Sequence, residues 1–139
     1  MAKEAKVRWV SGMQFVGESG SGHAMVLDAP APGGRNTGPS PMELLLVGLA
    51  GCTAMDVVNI LSKKRQPFHG VEVHANGVQR DEPPNYYTDI HLEYVVYGKG
   101  VSEKAVEQAI ALSEEKYCSA AAMMNKVANI TTAFRIVEE

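Results

Sequence analysis

Along this chain the apolar positions change period several times, and each change marks an element. From Tyr86 to Tyr97, Ile90, Leu92, Tyr94 and Val96 alternate with His91, Glu93, Val95 and Tyr97, the two-residue period of a half-buried strand. Residues 5–16 and 22–29 read as two more strands around the Gly/Ser-rich turn Gly17-Glu-Ser-Gly-Ser-Gly22, a hairpin with a loop too long for a tight turn. A further strand is expected at 70–80, ahead of the turn Asp81-Glu-Pro-Pro-Asn85. The last is expected at 129–137, where Ile130, Phe134 and Ile136 turn inward.

Between the strands the period lengthens. Ser40-Pro-Met-Glu43 is a complete helix start: Ser40 as N-cap, Pro41 at the first helical position, and Glu43 closing a capping box. The helix should run to about Lys64, roughly 36 Å at 1.5 Å per residue. Gly48, Ala50 and Gly51 thin its middle and suggest a close helix approach, since an interior Gly costs about 1 kcal/mol against Ala. A second helix opens at Ser102, with Val101 stapled onto Val106. Val106, Ala109, Ile110, Ser113 and Tyr117 form its inner face, Cys118 stands at its end or at a break, and 119–128 are helical again. The stretch 29–39 carries too many prolines and glycines for a regular element and reads as a loop beside the first helix. The order ββ-α-ββ-αα-β predicts an α+β protein with an antiparallel sheet. A long helix apolar on most of its circumference needs more cover than one such subunit supplies, so a homodimer is expected.

Composition narrows the function. With 139 residues the chain fits one domain, residues 1–139. A net charge of −3 leaves no basic footprint for nucleic acid; Lys63-Lys-Arg65 falls where a helix ends and cations favour the dipole. The longest apolar run, Leu44–Met55, is about half of the ~20 residues of a membrane span, and extending it brings in Asp56 and Asn59, so a buried helix is expected. Met1-Ala-Lys-Glu-Ala-Lys6 lacks the apolar core of a signal peptide, so the chain is expected in the cytoplasm, without membrane or nucleic-acid partners. In that compartment two cysteines suit a transient redox pair better than a structural disulfide.

Cys52 and Cys118 each lie in a small-residue, predominantly apolar stretch, where an inert packed thiol is the alternative to chemistry. The string from Gly38-Pro-Ser-Pro-Met-Glu43 to Gly51-Cys52, together with Glu115-Lys-Tyr-Cys118-Ser119, resembles the OsmC/Ohr family of thiol-dependent hydroperoxide reductases, most closely its YhfA-like branch. The resemblance runs from Val7-Arg-Trp-Val10 through Gly17–His23 to Asn129-Ile-Thr-Thr132. It implies an OsmC-like fold: an intertwined homodimer with two long central helices and active sites at the dimer interface. It also implies Cys52 as the peroxide-attacking thiol and Cys118 as the resolving one, with a small organic hydroperoxide as oxidant, a dithiol or redoxin as reductant, and no cofactor.

A thiol attacks peroxide as thiolate, which requires a nearby positive group. Cys52 lies about 18 Å beyond its N-cap, whereas the helix dipole fades within the first turn. In the family an N-terminal arginine tied to a helix glutamate supplies the charge. Of Arg8 and Arg35 the candidate is Arg35, in the Pro/Gly loop, with His23 second; a solvated loop charge and a structural histidine are the alternatives. Glu43 falls one residue from the family glutamate and about 180° around the helix from Cys52, which favours its capping role. Asp56, one turn after Cys52, opposes thiolate formation unless it is paired. His69, His74 and His91 lack metal-ligand spacing with the cysteines, and no metal is expected. Tyr117, Met123 and Met124 are expected to pack. The expected activity is hydroperoxide reduction. The alternative is a non-catalytic stress-associated protein that binds an apolar small molecule in the same interface pocket and keeps its cysteines as packing.

Overall fold

In the computed structural model, which describes residues 1–139, the chain forms two units, Met1–Leu45 and Leu46–Glu139. The first is built on an antiparallel sheet of β1 (Ala5–Ser11), β2 (Gln14–Ser19) and β3 (Ala24–Leu27), in that order. The expected strand over 5–16 is therefore two strands. It folds back at Gly12-Met13, where Ser11 pairs with Gln14 and Gly12 takes a φ of 58°, which a side chain disfavours. The Trp9 indole N–H fastens this turn by donating to the Gly12 carbonyl at 2.8 Å.

After β3 the loop is tied down by Asp28, whose side chain is 3% exposed. Its carboxylate accepts from the Ala29 N–H at 2.7 Å, the Thr37 N–H at 3.2 Å and the Thr37 hydroxyl at 2.5 Å. Gln14 Nε2 donates to the same Thr37 hydroxyl at 2.9 Å, so the loop is stitched to β2. The helix α1 (Pro41–Lys63) then starts as read from the sequence. Ser40 N–H donates to Glu43 Oε1 at 2.9 Å and Glu43 N–H to Ser40 Oγ at 3.3 Å, both halves of the capping box.

In the second unit β4 (Gly70–Gln79), β5 (Tyr87–Tyr97) and β6 (Asn129–Val137) form a sheet with β5 in the centre. β4 and β5 are antiparallel, but β5 and β6 run parallel, so the all-antiparallel expectation is corrected. The cause is the connection: the helical segment after β5 carries the chain back to the start of that strand, as a parallel pair requires. Ile90, Leu92, Tyr94 and Val96 are buried, as their alternation predicts. Gly77 faces Tyr87 so closely that an added Cβ would stand 2.6 Å from the ring, which leaves room for glycine alone.

α1 sets a stripe of Leu49, Thr53, Val57 and Leu61 into this unit, the four-residue spacing of one helix face. Full burial of each aliphatic member is worth about 1.5–3 kcal/mol. By length and composition α1 could cross a membrane, yet core helices of soluble proteins pass the same test. Its other faces carry Val47, Met55 and Val58 at 40–76% exposure. Added Cβ atoms at Gly48 and Gly51 would meet nothing within 4 Å, so the close approach expected there is not made within this chain.

Helix α2 (Glu103–Leu112) is capped by Ser102, whose Oγ accepts from Ala105 N–H at 3.2 Å. It ends in a π-helical turn over Ser113–Tyr117, and α3 (Ser119–Met124) follows. The expected second long helix is thus two short helices around a widened turn. That turn inserts a residue into the face. Val106, Ala109, Ile110 and Ser113 are buried as predicted, but Tyr117 is half-exposed and Cys118 takes the inward place at 3% exposure. Met123, expected to pack, is also exposed.

Candidate active site

The widened turn determines how Cys118 is presented. Its N–H donates to the Ser113 carbonyl at 2.7 Å, a bond to the residue five back, and its backbone then turns extended to cap α3. The Cys118 Sγ accepts from the Ala121 N–H at 3.3 Å. Cys52, on α1, is half-buried and its thiol interacts with that of Cys118; both thiols are free. Burial foremost, opposed by the Ala121 N–H and aided by Cys52 and the Glu114 charge, pushes the Cys118 thiol up to about 12. Cys118 is therefore a protonated thiol at neutral pH.

Beneath the pair runs a chain of hydroxyl and carboxyl groups. The Asp56 carboxylate accepts from the Ser113 hydroxyl at 2.8 Å, and Ser113 Oγ lies 2.8 Å from Thr53 Oγ1. Thr53 Oγ1 lies 2.7 Å from the Tyr94 hydroxyl, which donates to Glu114 Oε1 at 3.1 Å. Thr53, Ser113 and Tyr94 are fully buried, and no buried polar side-chain atom in the chain lacks a partner. Desolvation holds Glu114 above the usual carboxylate range. The Tyr94 and Thr53 hydroxyls draw it down, and the nearby Asp56 charge raises it. Tyr94 is pushed well above the usual phenol range, first by burial. Asp56 also opens on a groove of about 370 Å³ that it lines with Lys63, Lys64, Leu112 and Tyr117.

In the sequence Asp56 stands only as a charge on the Cys52 face that opposes a thiolate unless paired; in the structure it accepts from the Ser113 hydroxyl, a neutral partner. Glu114, Tyr94 and Thr53 carry no signal of their own in the sequence. Tyr94 reads as one more apolar position in an alternating strand. Thr53 follows Cys52 directly, and a hydroxyl on the buried stripe of α1 was the one available hint.

The remaining candidates belong to the first unit, and each has a local partner. Arg35 Nη2 donates to Ser11 Oγ at 2.8 Å and to the Ser11 carbonyl at 3.3 Å, at the β1–β2 turn. His23 Nδ1 lies 3.1 Å from Ser21 Oγ and is exposed. Glu43 is engaged in the capping box, and its two bonds from Ser40 hold its carboxyl below the usual range.

These features define an α+β protein of two three-stranded sheets with a free cysteine pair carried between α1 and the start of α3. Residues 34–133 match the family model described as OsmC-like protein. Protein YhfA of Escherichia coli K12 is 42% identical over 134 residues, covering 96% of this chain and 98% of that protein. The crystal structure of a hypothetical protein from Aquifex aeolicus VF5 superposes with a TM-score of 0.89 at 34% identity, covering 100% of this chain and 98% of that one. The organic hydroperoxide resistance protein OhrB of Bacillus subtilis shares the fold, with a TM-score of 0.65 at 16% identity over 97% of this chain and 98% of its own. The chain belongs to the OsmC/Ohr family, in its YhfA-like branch.

Proposed function

We propose that the chain is a cytoplasmic, homodimeric thiol peroxidase that reduces small organic hydroperoxides. The observation that carries this reading is the difference between two neighbouring thiols. Cys118 is buried and held protonated, whereas Cys52 is half-exposed, so Cys52 meets the oxidant and Cys118 waits to resolve it. The Cys52 thiolate attacks the outer peroxide oxygen. The O–O bond breaks, an alcohol leaves with a proton, and Cys52 becomes a sulfenic acid. Cys118 then displaces that hydroxyl as water, closing a disulfide, which a small dithiol or redoxin reduces. This chemistry calls for no metal, flavin or haem. Structural relatives that share the fold include organic hydroperoxide resistance proteins, which supports the substrate class.

The test uses an alkyl hydroperoxide with a dithiol reductant. The parent should pass from two free thiols per chain to none on oxidation. Cys52→Ser should consume no peroxide, and Cys118→Ser should complete one turnover and then stall or overoxidise. Turnover by both variants at the parent rate overturns the reading. Two thiols that persist in the parent under peroxide would leave a binding protein of the same fold.

A further inference from the structure

We propose that Asp56, Ser113, Thr53, Tyr94 and Glu114 form a one-proton relay, which holds a single proton between its two end carboxyl groups and serves the Cys118 sulfur when its disulfide with Cys52 closes or opens. The proposal rests on reading those cysteines as a redox pair, and it follows from counting protons. The four links Asp56–Ser113, Ser113–Thr53, Thr53–Tyr94 and Tyr94–Glu114 measure 2.8, 2.8, 2.7 and 3.1 Å. Each needs a hydrogen, since two bare oxygens at such distances repel. Serine, threonine and tyrosine bring one hydroxyl proton each, and ionised carboxylates bring none. Three protons cannot fill four links, so one carboxyl carries the fourth.

Two arrangements satisfy the chain. In one, protonated Glu114 donates to Tyr94, Tyr94 to Thr53, Thr53 to Ser113 and Ser113 to ionised Asp56. In the other every bond is reversed and Asp56 holds the proton. Switching between them moves a proton from the solvent-open groove at Asp56 to Glu114 without moving a heavy atom far. Glu114 stands in the π-helical turn that Cys118 closes through its N–H on the Ser113 backbone carbonyl, and its charge acts on that thiol, so the Glu114 end of the chain is the one on the Cys118 side. The titratable groups facing the relay are Cys52 and Asp56 from α1, Tyr94 from β5, Glu114 from the π-helical turn and Cys118 from the start of α3, with Lys63, Lys64 and Tyr117 around the groove.

Both steps then balance. On closing, the S–S bond forms as the Cys52 S–O bond breaks; the Cys118 proton enters the relay and the relay's proton leaves with the hydroxyl as water. On opening, a dithiol sulfur attacks Cys52, the S–S electron pair goes to Cys118, and Glu114 protonates it. The proton shed by the attacking thiol refills the relay at Asp56. A thiolate with so high a proton affinity is a poor leaving group unless it is protonated as it departs.

Neither test involves peroxide, so failure of the peroxidase reading is read separately. First, the infrared spectrum of the reduced parent at neutral pH should show the carbonyl band of one protonated carboxylic acid. That band should vanish in Glu114→Gln and in Asp56→Asn, because an amide N–H then fills the fourth link. A parent without the band overturns the relay. Second, diamide should close the Cys52–Cys118 bond, and dithiothreitol should reopen it at least about tenfold more slowly in Glu114→Gln and Thr53→Val than in the parent. Thr53→Ser, which keeps the hydroxyl, should restore the parent rate and its pH profile. Equal rates in all variants, or failure of diamide to close the bond, overturn the proposal.

Discussion

Asp28 and Glu114 are both carboxyls drawn out of full solvent exposure, and their surroundings push them in opposite directions. Asp28 accepts from two backbone N–H groups and the Thr37 hydroxyl, which bonds hold it below the usual carboxylate range, Thr37 first. A carboxyl with a lowered folded-state pKa adds stability that is present above its unfolded value and lost as the pH falls through the folded one. Melting temperature should therefore fall as the pH drops below about 4. In Asp28→Asn the neutral-pH melting temperature should be lower and the acid-induced fall shallower. An acid limb as steep as the parent's would show that the loop clamp does not contribute. Glu114 is raised, so its protonated form is the one folding prefers, and its contribution declines as the pH rises from the unfolded toward the folded pKa. Neither residue is marked in the sequence, because the partners that define them lie at distant positions: Thr37 for Asp28, Tyr94 and Asp56 for Glu114.

At the scale of elements, Glu43 separates two roles that its position in the chain leaves open. Its carboxylate accepts the Ser40 N–H at 2.9 Å, and a glutamine oxygen does the same. Glu43→Gln should keep both the melting temperature and peroxide turnover near the parent's, and Ser40→Ala should lose about 1 kcal/mol of stability. Normal stability with abolished turnover in Glu43→Gln would make it a catalytic group instead. The capping box was legible because it is local, four consecutive residues that satisfy each other. Strand β5, the helix start at Ser102 and strand β6 were legible for the same reason. Three features were not. The Gly12-Met13 turn is two residues inside one apolar run. The π-helical turn breaks the 3.6-residue period by a single insertion, which moved Tyr117 outward and Cys118 inward. The parallel β5–β6 pairing depends on where a long connection returns, and no local pattern encodes that.

For the whole molecule the decisive residues are those of α1 that the chain leaves uncovered. Met55 is 76% exposed and Val47 61%, and Gly48 and Gly51 present open backbone between the Val47 side and the cysteine. Glycines in mid-helix weaken it, so a helix that keeps two is built for close contact, and a second copy is the occupant we propose. The protein should sediment at twice its 15.0 kDa chain mass. Met55→Asp should split that dimer; on an isolated chain the same exposed substitution would shift stability by no more than about 0.5 kcal/mol. The second copy also answers the electrostatic problem of Cys52. The Glu114 charge acts on Cys118 and Asp56 stands one turn beyond Cys52 on α1; carboxyls so placed oppose a thiolate, so activation needs a positive group from outside this arrangement. We assign it to Arg35 of the second copy, with His23 next. In a Cys118→Ser background, where Cys52 is the sole thiol, Arg35→Ala should raise the pH at which alkylation reaches half its maximal rate. Met55→Asp should raise it as well, because it removes the copy that carries the arginine. A folded monomer that alkylates with the parent's pH profile would exclude both the dimer and the assignment. A profile insensitive to Arg35→Ala and to His23→Ala in an intact dimer would exclude the assignment alone.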